Sequence, residues 1–293
     1  MALGVDGVRV GTWTSPGGET GTTVVLPPPG TLGAAAVRGG APGTRELAAL
    51  SANGRVEACH GIVLSGGSAF GLAAADGVVR WCEAHGLGHD VGVARVPIVG
   101  AAIVLDLTGP DSPRPDAEAG WAACEAAGEG DPPMGRVGVG AGCTVGKGAG
   151  LASASPGGQG WALASALGVT VGALVAVNAL GDVLDERGAL LAGSRAPATQ
   201  PRYPRGPVPR AGAHTVVGCL ATNAALSKAD AARAADLAHS GVARAVTPAH
   251  TSYDGDVLFL LATGRTAASL DLVADLGASA VAAAIRAAVR AAA

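Results

Sequence analysis

The sequence predicts a single layered α+β domain, and three observations carry that expectation. Apolar, β-type runs arrive in neighbouring pairs with helical segments between the pairs, which argues against strict βαβ winding. Nearly half of the residues are hydrophobic, 49%, against 15% charged, so a sizeable core is available. No internal repeat and no convincing spacer divides the 293 residues. Aromatic residues make up only 3%. Core volume must therefore come from Val, Leu, Ile and Ala, with glycine allowing close backbone approach.

The elements follow in chain order. VRVGTW (8–13) and TTVVLP (22–27) read as two strands of a hairpin, turned by Pro16-Gly17-Gly18. A glycine-rich loop, RGGAPGTRE, occupies 38–46. HGIVLS (60–65) is a short buried strand that runs into a helix over 68–86. Leu72, Ala75, Val79 and Cys82 recur there at helical spacing, Ser68 is the expected N-cap and Gly86 the stop. AAIVLDL (101–107) reads as a strand, residues 116–130 as a helix, and 137–150 as glycine-dense loop. Residues 169–185 form a long strand or hairpin interrupted near Asn178. A helix capped by Ser227 spans 227–246, a turn and strand span 251–264, and an Ala-rich helix closes the chain over 267–292.

Composition excludes several classes of partner. The formal net charge is −3, so the basic footprint of a nucleic-acid binder is missing. No uninterrupted apolar run reaches spanning length, and the N-terminal residues have no basic region followed by an apolar block. A cytoplasmic protein without a membrane partner is expected. Five widely spaced cysteines, Cys59, Cys82, Cys124, Cys143 and Cys219, form no CxxC or Cys/His metal pattern and are expected to be reduced and mostly buried. Neither metal nor organic cofactor is expected. Only two lysines, Lys147 and Lys228, stand against eighteen arginines.

Three glycine motifs come close to known signatures and fail. AGCTVGKG around Lys147 lacks the first glycine and the final hydroxyl of a phosphate loop. GGSAFG (66–71) has Phe70 where a nucleophile elbow centred on Ser68 needs glycine. No GxGxxG opens a helix after a strand. Gly67 and Ser68 stay as candidates for lining a substrate pocket.

The stretch that organises the chain is GAHTVVGCL (212–220). Residues 193–213 before it are rich in Pro and Arg and contain no Asp or Glu, so they read as an exposed loop. A buried strand then begins abruptly at Thr215. Such a junction suits a chain that cuts itself there and uses the new N-terminal Thr as nucleophile, although an ordinary loop before an ordinary strand has the same pattern. Asp254 and Asp256 flank Gly255 at the lip of another apolar run. If the backbone is extended, both carboxylates meet one environment and can orient a Thr ammonium and hydroxyl. The alternative is a plain Asp-Gly turn. Lys147 and Asn178 lie in apolar, glycine-rich surroundings where a buried polar group must find partners. His239 and His250 could belong to a Ser/His/Asp arrangement, but neither has a motif around it and both read as partly exposed helix or loop positions.

Nine blocks in the same order resemble one family. They include GVRVGTWT (7–14), VRGGAPGTRE (37–46), IVLSGGSAFGLAAADGVVRW (62–81), GVGAGCTVGK (138–147), VTVGALVAVNALGDV (169–183), residues 214–246 and PAHTSYDGDVLFLLATG (248–264). The chain resembles the L-aminopeptidase/D-esterase family of self-processing N-terminal-nucleophile hydrolases, relatives of the nylon-oligomer endo-hydrolases. The resemblance implies a four-layer αββα sandwich and cleavage between His214 and Thr215, giving residues 1–214 and 215–293. It implies assembly of the αβ heterodimers, with a tetramer of them expected, and small peptides, amino-acid amides or oligoamides as substrates. By the same resemblance Thr215 is the nucleophile, Asp254 and Asp256 its paired acids, Lys147 the active-site lysine and Asn178 a candidate oxyanion donor. His214 departs from the Asn of the Thr-type members, and Val216 from a commonly polar residue. An acyltransferase of the ornithine acetyltransferase type, or an uncut binding homologue, are the alternatives.

Overall fold

The computed structural model describes residues 1–197, 200 and 214–293. Most of the expected Pro/Arg loop, including Gly212 and Ala213, lies outside the described residues. Two five-stranded sheets form the frame. The first contains β1 (Arg9–Thr14), β2 (Gly21–Leu26), β4 (Thr44–Arg45), β5 (Gly61–Ser65) and β6 (Val99–Ile103), in the order β1-β2-β5-β6-β4. The second contains β3 (Leu32–Val37), β7 (Gly158–Ala166), β8 (Val169–Asn178), β9 (Thr215–Ala225) and β10 (Val257–Ala267), in the order β7-β8-β9-β10-β3. Each sheet has one parallel pair, β5 with β6 and β9 with β10; the other neighbours run antiparallel.

The sheets face each other through Ile62, Leu64 and Val25 on one side and Leu174, Val217, Cys219 and Phe259 on the other. A Cβ on Gly100 would come within 3.0 Å of the Phe259 ring. Glycine thus makes room for one of the chain's two phenylalanines, whose replacement by Ala would cost about 3–5 kcal/mol. The outer faces are covered by helices. α1 (Ala74–Ala84) and α2 (Ala117–Glu125) cover the first sheet, α1 through Ala74, Val78, Trp81 and Cys82 and α2 through Ala123 and Cys124. α3 (Lys228–Ala238), α4 (Ser240–Ala245) and α5 (Leu270–Ala292) cover the second. The order helix, sheet, sheet, helix is the expected αββα sandwich.

Several local expectations change. Ser68 is not a cap: the chain enters through a 3-10 turn, Ser68–Ala73, whose N-cap position is Gly67 in a left-handed conformation (φ 78°), with no side-chain bond. Asp116, Ser227 and Ser269 do cap α2, α3 and α5 with side-chain oxygens. The single helix expected over 227–246 is broken at His239 into α3 and α4. α5 is long and apolar enough to cross a membrane by length and composition, although Asp275 and Arg286 interrupt its apolar run, and 67% of its most apolar window is buried. It lies directly on β7, where a Cβ on Gly160 would stand 2.3 Å from the Ala284 carbonyl oxygen. All five cysteines are free and buried.

Candidate active site

Thr215 is the first residue of β9 and is 1% exposed. It pairs across the sheet with Asn178, the last residue of β8. On its other side β10 runs parallel, and the bridge between His214 and Asp254 extends that pairing beyond the strands. Three elements therefore deliver the nucleophile candidate, the asparagine and the acid pair to one end of the second sheet.

The turn Asp254-Gly255-Asp256 grips the chain on both sides of Thr215. The Gly255 N–H donates to the His214 carbonyl oxygen at 2.8 Å, and the Val216 N–H donates to Asp256 Oδ1 at 2.6 Å. The Thr215 hydroxyl itself donates to the His214 carbonyl oxygen. An oxygen nucleophile thus lies against the peptide bond it would attack, while a backbone donor meets the oxygen on which charge would develop. The glycine pair after β3 makes this turn possible from the other side. Arg38 and Ala41 donate their N–H groups to the carbonyl oxygens of Asp256 (3.0 Å) and Asp254 (2.9 Å), and a Cβ on Gly39 would stand 2.3 Å from Asp254 O.

Both carboxylates are buried, Asp254 at 2% and Asp256 at 1% exposure. They use different partners. Asp254 Oδ2 accepts from the Thr251 N–H (2.7 Å) and hydroxyl (2.5 Å). Its pKa is raised, first by burial and then by the charge of Asp256. Asp256 Oδ2 accepts from the His250 N–H at 3.3 Å and meets His250 Nδ1 at 2.7 Å. His239, expected to be partly exposed, is instead 1% exposed; His250 is the half-buried loop residue expected, yet it touches the site. No sequence pattern marked His250, which stands six residues before its partner Asp256.

Lys147 Nζ donates to the Asn178 carbonyl oxygen (2.8 Å) and to Asn178 Oδ1 (2.7 Å). Burial drives its pKa down to about 7, against the opposing charges of Asp254 and Asp106. Gly146, left-handed at φ 71°, turns the chain there, because a Cβ would stand 2.1 Å from the Ser194 nitrogen. Asn178 Oδ1 also accepts from the Thr144 N–H at 3.0 Å, and its Nδ2 donates to the Leu105 carbonyl oxygen at 3.0 Å. The Asn178 amide expected as an oxyanion donor gives one N–H to the Leu105 carbonyl oxygen, while the Gly255 N–H meets the His214 carbonyl oxygen.

A cavity of about 220 Å³ opens beside Lys147, lined also by Leu105, Asp106, Leu107, Thr144 and Leu151. Gly67 and Ser68 do not line it; the Gly67 N–H instead holds Asp106 Oδ1 at 2.7 Å. His214 is 3% exposed, and both its ring nitrogens are buried with no hydrogen-bond partner among the described residues. Burial, then the charge of Lys147, pushes its pKa down to about 4, so the ring is neutral near pH 7. Among the described residues no group of three or more His, Cys, Asp or Glu side chains could hold a metal ion.

The model of peptidase family S58 matches residues 3–293. An uncharacterized aminopeptidase of Mycobacterium bovis is 43% identical over 289 residues, covering 90% of this chain and 81% of that one. A 6-aminohexanoate-oligomer endohydrolase of a Kocuria species is 32% identical over 270 residues, covering 88% and 73%. In structure, the chain is similar to the L-aminopeptidase D-Ala-esterase/amidase from Ochrobactrum anthropi, with TM-score 0.72, 20% identity and coverage of 99% and 85%. A β-aminopeptidase from a Burkholderia species superposes with TM-score 0.73 at 22% identity, covering 98% and 85%.

Proposed function

This chain belongs to peptidase family S58 and is a hydrolase of amide bonds; from that premise we propose that it matures by cutting itself between His214 and Thr215. The Thr215 hydroxyl attacks the His214 carbonyl carbon, the C–N bond breaks, and the acyl group passes to the Thr oxygen as an ester. The Thr nitrogen takes up the proton and becomes a free α-amine. Water then hydrolyses the ester, leaving residues 1–214 with a new carboxylate and residues 215–293 with Thr215 at the N-terminus. A free α-amine has a pKa of about 7.7–8.0, so near neutrality part of it is unprotonated and serves as base for its own hydroxyl. The same oxygen then attacks a substrate amide and transfers the acyl group to water.

One observation carries the reading: the Thr215 hydroxyl and the Gly255 N–H converge on the carbonyl of the bond to be cut. In the mature enzyme the Gly255 N–H stabilises the oxyanion of the substrate, Lys147 and Asn178 orient the new amine, and Asp254 and Asp256 balance its charge. The names of the relatives support small peptides, amino-acid amides and oligoamides of aminohexanoate type as the substrates to test. Assembly of the αβ heterodimers, as a tetramer of them, belongs to the same proposal.

The test is intact mass under denaturing conditions, with Thr215→Ala alongside. Wild type should yield two polypeptides, one ending at His214 and one starting at Thr215. Thr215→Ala should remain one chain and hydrolyse no peptide amide or oligoamide. A Thr215→Ala protein with full activity would refute the mechanism.

A further inference from the structure

His250 lies between α4 and β10, in the left-handed region at φ 56°, which costs a residue with a Cβ some strain and is populated by His more readily than by most. That backbone brings both its N–H and its ring Nδ1 onto one oxygen, Asp256 Oδ2. Its other ring nitrogen, Nε2, meets the His239 carbonyl oxygen at 3.2 Å. A carbonyl oxygen only accepts, so Nε2 carries a proton. Asp256 accepts backbone N–H groups on both of its oxygens, which suits a carboxylate, and beside a carboxylate Nδ1 donates as well. With two protons the ring is a cation.

We propose that His250 is a positioning residue for the nucleophile: as an imidazolium on Asp256 Oδ2, it holds the carboxylate whose Oδ1 fixes the Val216 N–H, next to Thr215. The inference rests on the reading of Thr215 as nucleophile. It divides the charges of the site in two. Lys147 answers Asp254 from the side of Asn178, and His250 answers Asp256 from the side of α3 and α4. Without that cation a carboxylate 1% exposed would be left buried beside a second one.

The groups that face His250 are consistent with the charge. Burial works to lower its pKa, but the hydrogen bond to Asp256 and the charge of Asp256 outweigh it, and the net shift is upward. The His239 ring lies edge-on at 5.0 Å and is itself pushed down to about 4, chiefly by burial, so it brings no competing charge at neutral pH. Arg38, the other cation that acts on the ring among the described residues, is bound to Asp236. The one arrangement that keeps the His250 ring neutral moves a proton to Asp256 Oδ2, and that arrangement can be distinguished directly.

The experiment has two parts. The first is nitrogen-15 NMR of the histidines in the wild-type protein at pH 7, with His250 assigned by its loss in His250→Asn or, should that variant fold poorly, His250→Gln. Two protonated ring nitrogens are expected; a single neutral tautomer overturns the proposal. The second is kinetics of His250→Asn, which accepts the left-handed backbone and offers Asp256 an amide donor but neither charge nor a link to His239. Its kcat should fall about ten- to a hundredfold with KM held within about twofold. The fall of wild-type kcat as pH rises through the His250 pKa should vanish in it. Should the folded variant remain uncut, its slowed self-cleavage counts for the proposal. Wild-type kcat and an unchanged pH profile in His250→Asn count against it. Thr215→Ala run in parallel separates the failures: an active Thr215→Ala refutes the nucleophile, whereas an inactive one beside an unaffected His250→Asn refutes only the role of His250.

Discussion

Replacing Lys147 by Met tests the electrostatics of the site by a route independent of turnover. The lysine has a pKa of about 7 in the folded chain and 10.5 when free. At pH 7 the unfolded chain holds the proton fully and the folded one about half of it. By linkage the folded state is about 4 kcal/mol less stable there than with a side chain that does not titrate. Against that stand at least two hydrogen bonds, to Asn178 O and Oδ1, each contributing about 1–1.5 kcal/mol net. Lys147→Met, in which a flexible apolar chain takes over the stem, should therefore be neutral or stabilising by about 1–2 kcal/mol at pH 7. The sign of the pH dependence follows. A lowered pKa means that stability is fully present above pH 10.5 and is lost as pH falls toward 7, so wild type gains about 2 kcal/mol from pH 7 to 9. The Met variant lacks that gain. Urea unfolding at pH 7, 8 and 9 of Thr215→Ala chains, with and without Lys147→Met, measures it on a single uncut polypeptide. Equal pH slopes in the two chains would show that Lys147 is not held near neutrality.

Two further outcomes are expected. The His214 pKa is lowered to about 4 from 6.5, so stability present above pH 6.5 is lost as pH falls to 4, by about 3 kcal/mol in all. His239 titrates with the same sign and window, so Thr215→Ala/His214→Asn should keep part of the acid sensitivity of Thr215→Ala and lose about 2 kcal/mol of it when unfolding is compared at pH 7 and 4.5; an unchanged difference refutes the assignment. At Gly255 an added Cβ would stand 3.1 Å from Thr215 Oγ1 and 2.8 Å from Ala41 O. Gly255→Ala should slow the appearance of the two chains, followed by mass, on the order of ten- to a hundredfold. Cleavage at wild-type speed would mean that the turn does not aim the hydroxyl.

The sandwich was legible because its interior strands are short apolar runs with turns between them, as at 60–65 and 169–178. β3 and β7 were not, since LGAAAV and GQGWALASA are built of Ala and Gly with low strand propensity. They become strands because β10 pairs with the first and α5 lies on the second. The break of α3 from α4 was hidden for a similar reason: the His239 ring is drawn down to the Ala36 carbonyl oxygen at 3.2 Å, a contact across 203 positions. At the site, Thr215, Asp254 and Asp256 could be named from a strand that starts on a hydroxyl and a strand that starts on an acid. His250 could not, because its partner is fixed by a left-handed turn and by the position of α3, neither of which leaves a periodic trace.

The two strands that carry the nucleophile and the acids run parallel, and that choice has a chemical consequence. Parallel neighbours need a long crossover, here α3 and α4, so the acid pair arrives from far along the chain and meets β9 at its beginning. An antiparallel hairpin would have continued the backbone ladder past Thr215 and covered it. A side chain stands in for one rung: Asp256 Oδ1, in place of a carbonyl oxygen, takes the Val216 N–H. The backbone pairing resumes beyond it, where the Gly255 N–H meets the His214 carbonyl oxygen, and the buried Val216 donor is not left unpaired. The His214–Thr215 bond lies just outside the sheet yet is held on both sides by the same three-residue turn. Cutting that bond would leave the Asp256 contact to the Val216 N–H in place, so under the proposed cleavage the same turn would stay beside Thr215.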